Sequence, residues 1–220
     1  MRSNPKLPIP KLPILAAGLL LALLLAGVAL TGLARDAARP EAVPAREAAR
    51  PETLRAGAFD PPQGAPEFSL RGSDGSEVTL ARYRGKVVLL TFGFTHCAAV
   101  CPTTLATLAQ ARSRLGESAD SVQVIFVTVD PARDDAAHMR NYLAAFDPGF
   151  IGATGAPDAL AAVREKYGVT AVRHGTGPDY AMAHTSSIFL IDRDGKLRAM
   201  MPFGHDASDF VHDIELLSAS

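Results

Sequence analysis

Cysteine is scarce: the 220-residue chain has two, Cys97 and Cys101. That excludes a scaffold stapled by several disulfides, and it excludes a zinc site built from thiolates alone, which needs four. Any cysteine chemistry must use this single pair. An excess of charge is missing too, with 22 lysines and arginines against 23 aspartates and glutamates, for a formal charge of −1. No basic surface is offered to a phosphate backbone, so nucleic acid is not an expected partner. There is no internal repeat. The composition, 48% apolar and 20% charged, fits an ordinary globular protein once a single long apolar run near the amino end is set aside.

That run covers residues 14–34, without a charge and with Thr31 as its only clearly polar side chain. A helix of that length spans ~30 Å of hydrocarbon. Arg2, Lys6 and Lys11 precede it with no acid among them, so residues 1–11 are expected in the cytoplasm and the rest across the membrane. Residues 12–34 therefore read as a transmembrane anchor or signal. A cleaved signal peptide is the competing reading, but its apolar core usually runs ~7–15 residues, shorter than this one. Residues 35–64 are built from alanine, proline and alternating arginine and glutamate. With almost no large apolar side chain to bury, they are expected to be a spacer.

Residues 65–220 carry the pattern of an α/β domain. Residues 67–70 and 77–80 alternate apolar and polar around Gly72-Ser-Asp-Gly75, which predicts an opening β-hairpin. Residues 87–92, between Gly85 and Gly93, read as a central strand buried on both faces. A helix is expected over 103–115, with Pro102 in its first turn and Gly116 as its stop. A second β-branched strand follows at 122–129, then helices at 134–146 and 157–167. Residues 186–191 and 196–201 form a hairpin pattern around Asp192-Arg-Asp-Gly195, and 206–217 a closing helix. The expectation is a mixed sheet with flanking helices.

Cys97 and Cys101 lie just past the central strand, at the start of a helix, on the sheet edge where sites collect. First-turn N–H groups carry partial positive charge, so thiols there are expected to ionise readily. Three intervening residues bring both sulfurs to one side, within reach of one metal ion or of each other. An inert buried pair or a plain stabilising disulfide is the alternative.

The segment Thr91-Phe-Gly-Phe-Thr-His-Cys97-Ala-Ala-Val-Cys101-Pro102 resembles the copper-site segment of the Sco/SenC family of copper chaperones for cytochrome c oxidase assembly. The likeness continues through Val127-Thr-Val-Asp-Pro-Ala-Arg-Asp134, Tyr142 with Phe146, Gly152-Ala-Thr-Gly155, Tyr167-Gly-Val169 and His184-Thr-Ser-Ser-Ile-Phe-Leu-Ile-Asp192. It implies a thioredoxin-like fold and copper held by Cys97, Cys101 and one distant histidine, here His184. Two thiolates and an imidazole suit Cu(I), and with an added ligand Cu(II). The implied partners are a copper donor, cytochrome c oxidase subunit II or another acceptor, and the inner membrane of a bacterium, with the domain in the periplasm. Two departures stand out: Ala98-Ala99 where the family commonly has Pro-Asp, and Ala183-His184-Thr185 where it commonly has Asp-His-Ser. Loss of acid near the thiols is expected to lower their pKa, and loss of the aspartate beside His184 to remove a partner that orients the ring.

The remaining candidates have plainer readings. His96 adjoins Cys97 but is expected to point away from the pair. Met182, Met200 and Met201 read as packing, and His138 and His212 as solvated helix positions. His174 and His205 sit in expected loops, as does His184, and Asp130 is placed to shape a loop or orient a basic side chain. The functional alternative to a copper carrier is a thiol-disulfide oxidoreductase that reduces the acceptor's cysteines. A peroxidase is disfavoured, because Phe94 and Ala98 stand where its motif needs proline and threonine.

Overall fold

The structure, a computed structural model, describes residues 53–219. The basic amino end, the apolar segment at 12–34 and the spacer up to residue 52 lie outside the described residues. In chain order the strands and helices are β1 (Gly57–Gly64), β2 (Leu70–Gly72), β3 (Glu77–Val78), β4 (Val87–Gly93), α1 (Val100–Arg114), β5 (Val122–Thr128), α2 (Ala136–Ala144), β6 (Ile151–Thr154), α3 (Pro157–Lys166), β7 (Ala171–His174), β8 (Ala181–His184), β9 (Ile188–Ile191), β10 (Lys196–Met201) and α4 (Ala207–Ala219).

Strands β4, β5 and β6 run parallel at the centre of an eight-stranded mixed sheet, and β9 joins β4 antiparallel. Every residue of β4, β5 and β9 is buried, which is why each reads as a continuous apolar run rather than an alternation. The central strand and the four helices fall within three residues of their expected bounds. The hairpin β9–β10 forms as its turn residues require, with the Asp192 carboxylate accepting from the N–H groups of Asp194 and Lys196 at 3.1 and 2.8 Å.

Three expectations need correction. Residues 57–64, assigned to the spacer, form the edge strand β1, paired antiparallel with β10. Nearly all of β1 is exposed, so backbone hydrogen bonds rather than apolar side chains attach it, and hydropathy gives no sign of it. The buried Asp213 carboxylate holds the chain just ahead of it, accepting from the N–H groups of Arg55 and Ala56 at 2.8 and 2.9 Å. The predicted opening hairpin is therefore second in order, and its strands are shorter and shifted, pairing Leu70 with Val78 and Arg71 with Glu77. The Glu67 carboxylate accepts from the N–H groups of Leu80 and Ala81 at 2.6 and 3.1 Å and takes that stretch out of strand pairing. Third, His174 and His184, expected in loops, each end a strand of the separate hairpin β7–β8. Its turn uses Gly175 and Gly177 at φ +93° and +80°, and its largely exposed strands lack an apolar face to read.

The site depends on how closely β4, β5 and α1 approach. A Cβ on Gly93 would lie 2.6 Å from the ring of Phe126 and 3.0 Å from the sulfur of Cys101. No side chain fits there. Gly93→Ala is expected to destabilise the fold by about 1–3 kcal/mol through overpacking and to displace Cys101. Chemical denaturation together with the thiol reactivity of the folded variant checks both.

Candidate functional site: a dithiol and a distant imidazole

Cys97 lies in the loop after β4 and Cys101 in the first turn of α1, the first half-buried and the second buried. The N-cap of α1 is Ala99, which has no side-chain oxygen to receive the helix's first N–H groups. Cys97 Sγ does so instead, accepting from the N–H of Cys101 at 3.4 Å. Burial opposes ionisation of Cys97, but the backbone N–H groups of Cys101 and Ala99, the Cys101 thiol and the N–H of Val100 outweigh it and hold the pKa below the ordinary thiol value. Cys101 behaves oppositely. Burial pushes its thiol up to about 12, with the charges of Cys97 and Asp134 adding to the rise. The expectation of two easily ionised thiols thus holds for Cys97 alone, because only its sulfur receives the helix's N–H groups.

His184 comes from 83 positions further along the chain and brings Nε2 to 3.5 Å from Cys101 Sγ. Its Nδ1 lies 2.8 Å from the carbonyl oxygen of Thr185. A carbonyl only accepts, so Nδ1 carries a proton and donates it there, and Nε2 is the ring nitrogen turned to the sulfur. The ring stands edge-on to Phe94, centroids 5.9 Å apart at 87°. The aspartate missing at position 183 is thus not needed to orient it: the backbone does so, and strand alternation puts Ala183 on the exposed side of β8, opposite His184.

The hairpin that carries His184 is tied down. The buried Tyr180 hydroxyl donates to Asp130 at the end of β5, and Asp130 also pairs with Arg133 at 2.5 Å. Arg133 and Arg173 each lie 3.7 Å from the centre of the Tyr180 ring, an attraction of about 0.5–2 kcal/mol apiece. Asp130 therefore orients a basic side chain, as its position suggested.

Met201 is buried and Met182 and Met200 pack against the core. His205 pairs with Asp209 and His212 with Asp213, both at 2.9 Å; His212 is half-buried rather than solvated, and His174 is exposed. His96 turns away from the cysteines towards Thr95, Asp134 and the exposed His138. Sequence reading passed over Asp134 and Tyr142 as site residues. Asp134 is fully buried, and the Tyr142 phenol is pushed up to about 12 by burial and by the charges of Cys101, Cys97 and Asp134. The available signal was Asp134 with His138, four positions apart across the entry to α2.

A mixed sheet with a dithiol at the end of its central parallel strand and an imidazole from a later hairpin defines a thioredoxin-like protein fitted to bind a soft metal ion or exchange disulfides. The SCO1/SenC family matches residues 58–219, and the chain belongs to it. It is 38% identical over 166 residues to the mitochondrial SCO2 homologue of Mus musculus, covering 72% of this chain and 62% of that one; it spans about three fifths of the length of such relatives. ScoI of Bradyrhizobium japonicum, solved with copper bound, is 38% identical with a TM-score of 0.65, covering 70% of this chain and 99% of that one. Apo Sco1 of Thermus thermophilus is 35% identical with a TM-score of 0.68, covering 75% and 97%.

A lowered pKa gives Cys97 more thiolate at a given pH, and the thiolate is the reactive form. Iodoacetamide is expected to modify Cys97 at a pH below that of a free cysteine and to spare Cys101. In Ala99→Asp, a carboxylate takes over the cap and adds negative charge, so the Cys97 labelling midpoint moves upward. Peptide mass spectrometry after brief labelling at a series of pH values reads both outcomes.

Proposed function

We propose that this chain is a copper metallochaperone: a membrane-tethered domain, on the periplasmic side of a bacterial inner membrane, that takes copper on Cys97, Cys101 and His184 and passes it to an acceptor. The binuclear copper centre of cytochrome c oxidase subunit II is the acceptor proposed. The observation that carries the reading is the approach of His184 Nε2 to Cys101 Sγ at 3.5 Å. Two sulfurs and one imidazole are the donor set Cu(I) favours, and three ligands leave a position through which an acceptor's ligand can enter. Copper bound in the ScoI relative supports the same assignment.

The second reading, thiol-disulfide exchange, is favoured by the opposed pKa shifts. A half-buried, low-pKa Cys97 suits the attacking sulfur and a buried Cys101 the resolving one. Both can be steps of one task, since an acceptor's cysteines must be reduced before they bind copper.

His184 separates the two. In the full-length chain, His184→Ala is expected to weaken Cu(I) binding by at least about tenfold, the lower end of what even an outer-shell change costs, while reduction of a model disulfide proceeds at the original rate. Competition against a chromogenic Cu(I) chelator and a disulfide-exchange assay measure the two. Unchanged copper retention with failed exchange would invert the roles.

A further inference from the structure

The geometry points to a second metal site beside the dithiol, and we propose that His96, Asp134 and His138 bind a divalent first-row cation of the zinc or copper(II) class. One ligand atom from each of the three lies within 4.8 Å of the other two. His96 is delivered by the loop leaving β4, Asp134 by the non-helical residues just ahead of the Asp135 N-cap of α2, and His138 by the first turn of that helix. The site does not depend on the copper-carrier reading, because it uses neither cysteine nor His184.

The Thr95 hydroxyl gathers the three groups. It donates to Asp134 Oδ1 at 2.6 Å and lies 3.0 Å from His96 Nδ1 and 2.9 Å from His138 Nε2. A hydroxyl has one proton to give, and here it goes to the carboxylate. The imidazole nitrogens thus converge on one oxygen from the solvent side, with ring centres 5.7 Å apart and planes inclined by 30°. Both histidines are exposed, so an ion enters without any opening of the fold.

The second argument is charge. Asp134 is fully buried and accepts from the Thr95 N–H and hydroxyl and from the Thr128 hydroxyl. Among the described residues it has no salt bridge to lysine or arginine; Arg133, which feels its charge, is paired with Asp130, and His96 Nδ1 lies 3.9 Å away. Asp130, four residues earlier, has Arg133. A buried carboxylate is costly unless a positive charge faces it, and a divalent ion between the two rings supplies that charge. Two imidazoles and a carboxylate favour zinc or copper(II), whereas Cu(I) prefers the thiolates nearby. The two sites thus sort by oxidation state and softness.

The test uses the full-length, tag-free chain with Cys97→Ser, Cys101→Ser and His184→Ala, which removes the other donor set, with circular dichroism to verify folding. Calorimetric titration with Zn2+ is expected to give one ion per chain. Adding His138→Ala weakens binding by at least about tenfold, and adding His174→Ala, another exposed histidine, leaves it unchanged. With Cu2+, electron paramagnetic resonance is expected to show two nitrogen donors, reduced to one by His138→Ala. No zinc uptake by the triple variant, or uptake indifferent to His138, overturns the proposal. In the otherwise unaltered chain His138→Ala leaves Cu(I) uptake by the dithiol in place, so failure here and failure of the copper-carrier reading are told apart.

Discussion

Helix α1 starts on an alanine, and the polar groups of its first turn are left to find a partner other than an N-cap side chain. The partner is the sulfur of Cys97. This one substitution of a thiol for a capping oxygen fixes the loop after β4 and lowers the Cys97 pKa, and it turns the chain so that Cys101 enters the helix facing inward. The asymmetry of the two cysteines follows. One sulfur sits in the positive field at a helix end and is only half-buried; the other is enclosed by β4, β5 and α1, where ionisation is opposed by burial and by its neighbour's charge.

The third residue of the proposed copper site, His184, is carried by a structure separate from the main sheet. The hairpin β7–β8 shares no strand pairing with the sheet's eight strands, so its position rests on side chains. Tyr180 is the fastening: its ring lies between two guanidinium groups and its hydroxyl is bound by Asp130 at the end of β5. The carboxyl ends of the central strands thus position both halves of the site, the cysteines by direct connection and His184 through this clasp.

The parts of this that could be read in sequence are those where burial writes a pattern. Residues 87–92 and 122–129 announce themselves because both faces are covered, and helices α1 and α3 because proline and glycine mark their ends. Strands β1, β7 and β8 were invisible for the converse reason: their side chains are mostly exposed and their order comes from backbone pairing and a few long-range polar contacts. The same holds at the site. Cys97, Cys101 and His184 were legible through a motif, but the opposed behaviour of the two thiols depends on which one receives the helix N–H groups, a matter of three-dimensional direction. Asp134 and His138 carry the right spacing, yet nothing in the sequence brings His96 to them; the end of β4 and the start of α2 must first be adjacent.

The two departures from the usual family pattern therefore differ in consequence. At position 183 the strand alternation directs the side chain away from His184, and the Thr185 carbonyl already fixes the ring's proton, so alanine there removes little from the imidazole. At position 99 the residue is the cap itself. An aspartate would compete with Cys97 for the same N–H groups and place a negative charge beside it, raising the cost of the thiolate. The alanine leaves those donors to the sulfur. In this chain the change beside the histidine is close to silent, whereas the change between the cysteines sets the acidity of the half-buried Cys97 thiol, and with it how readily that thiol reacts.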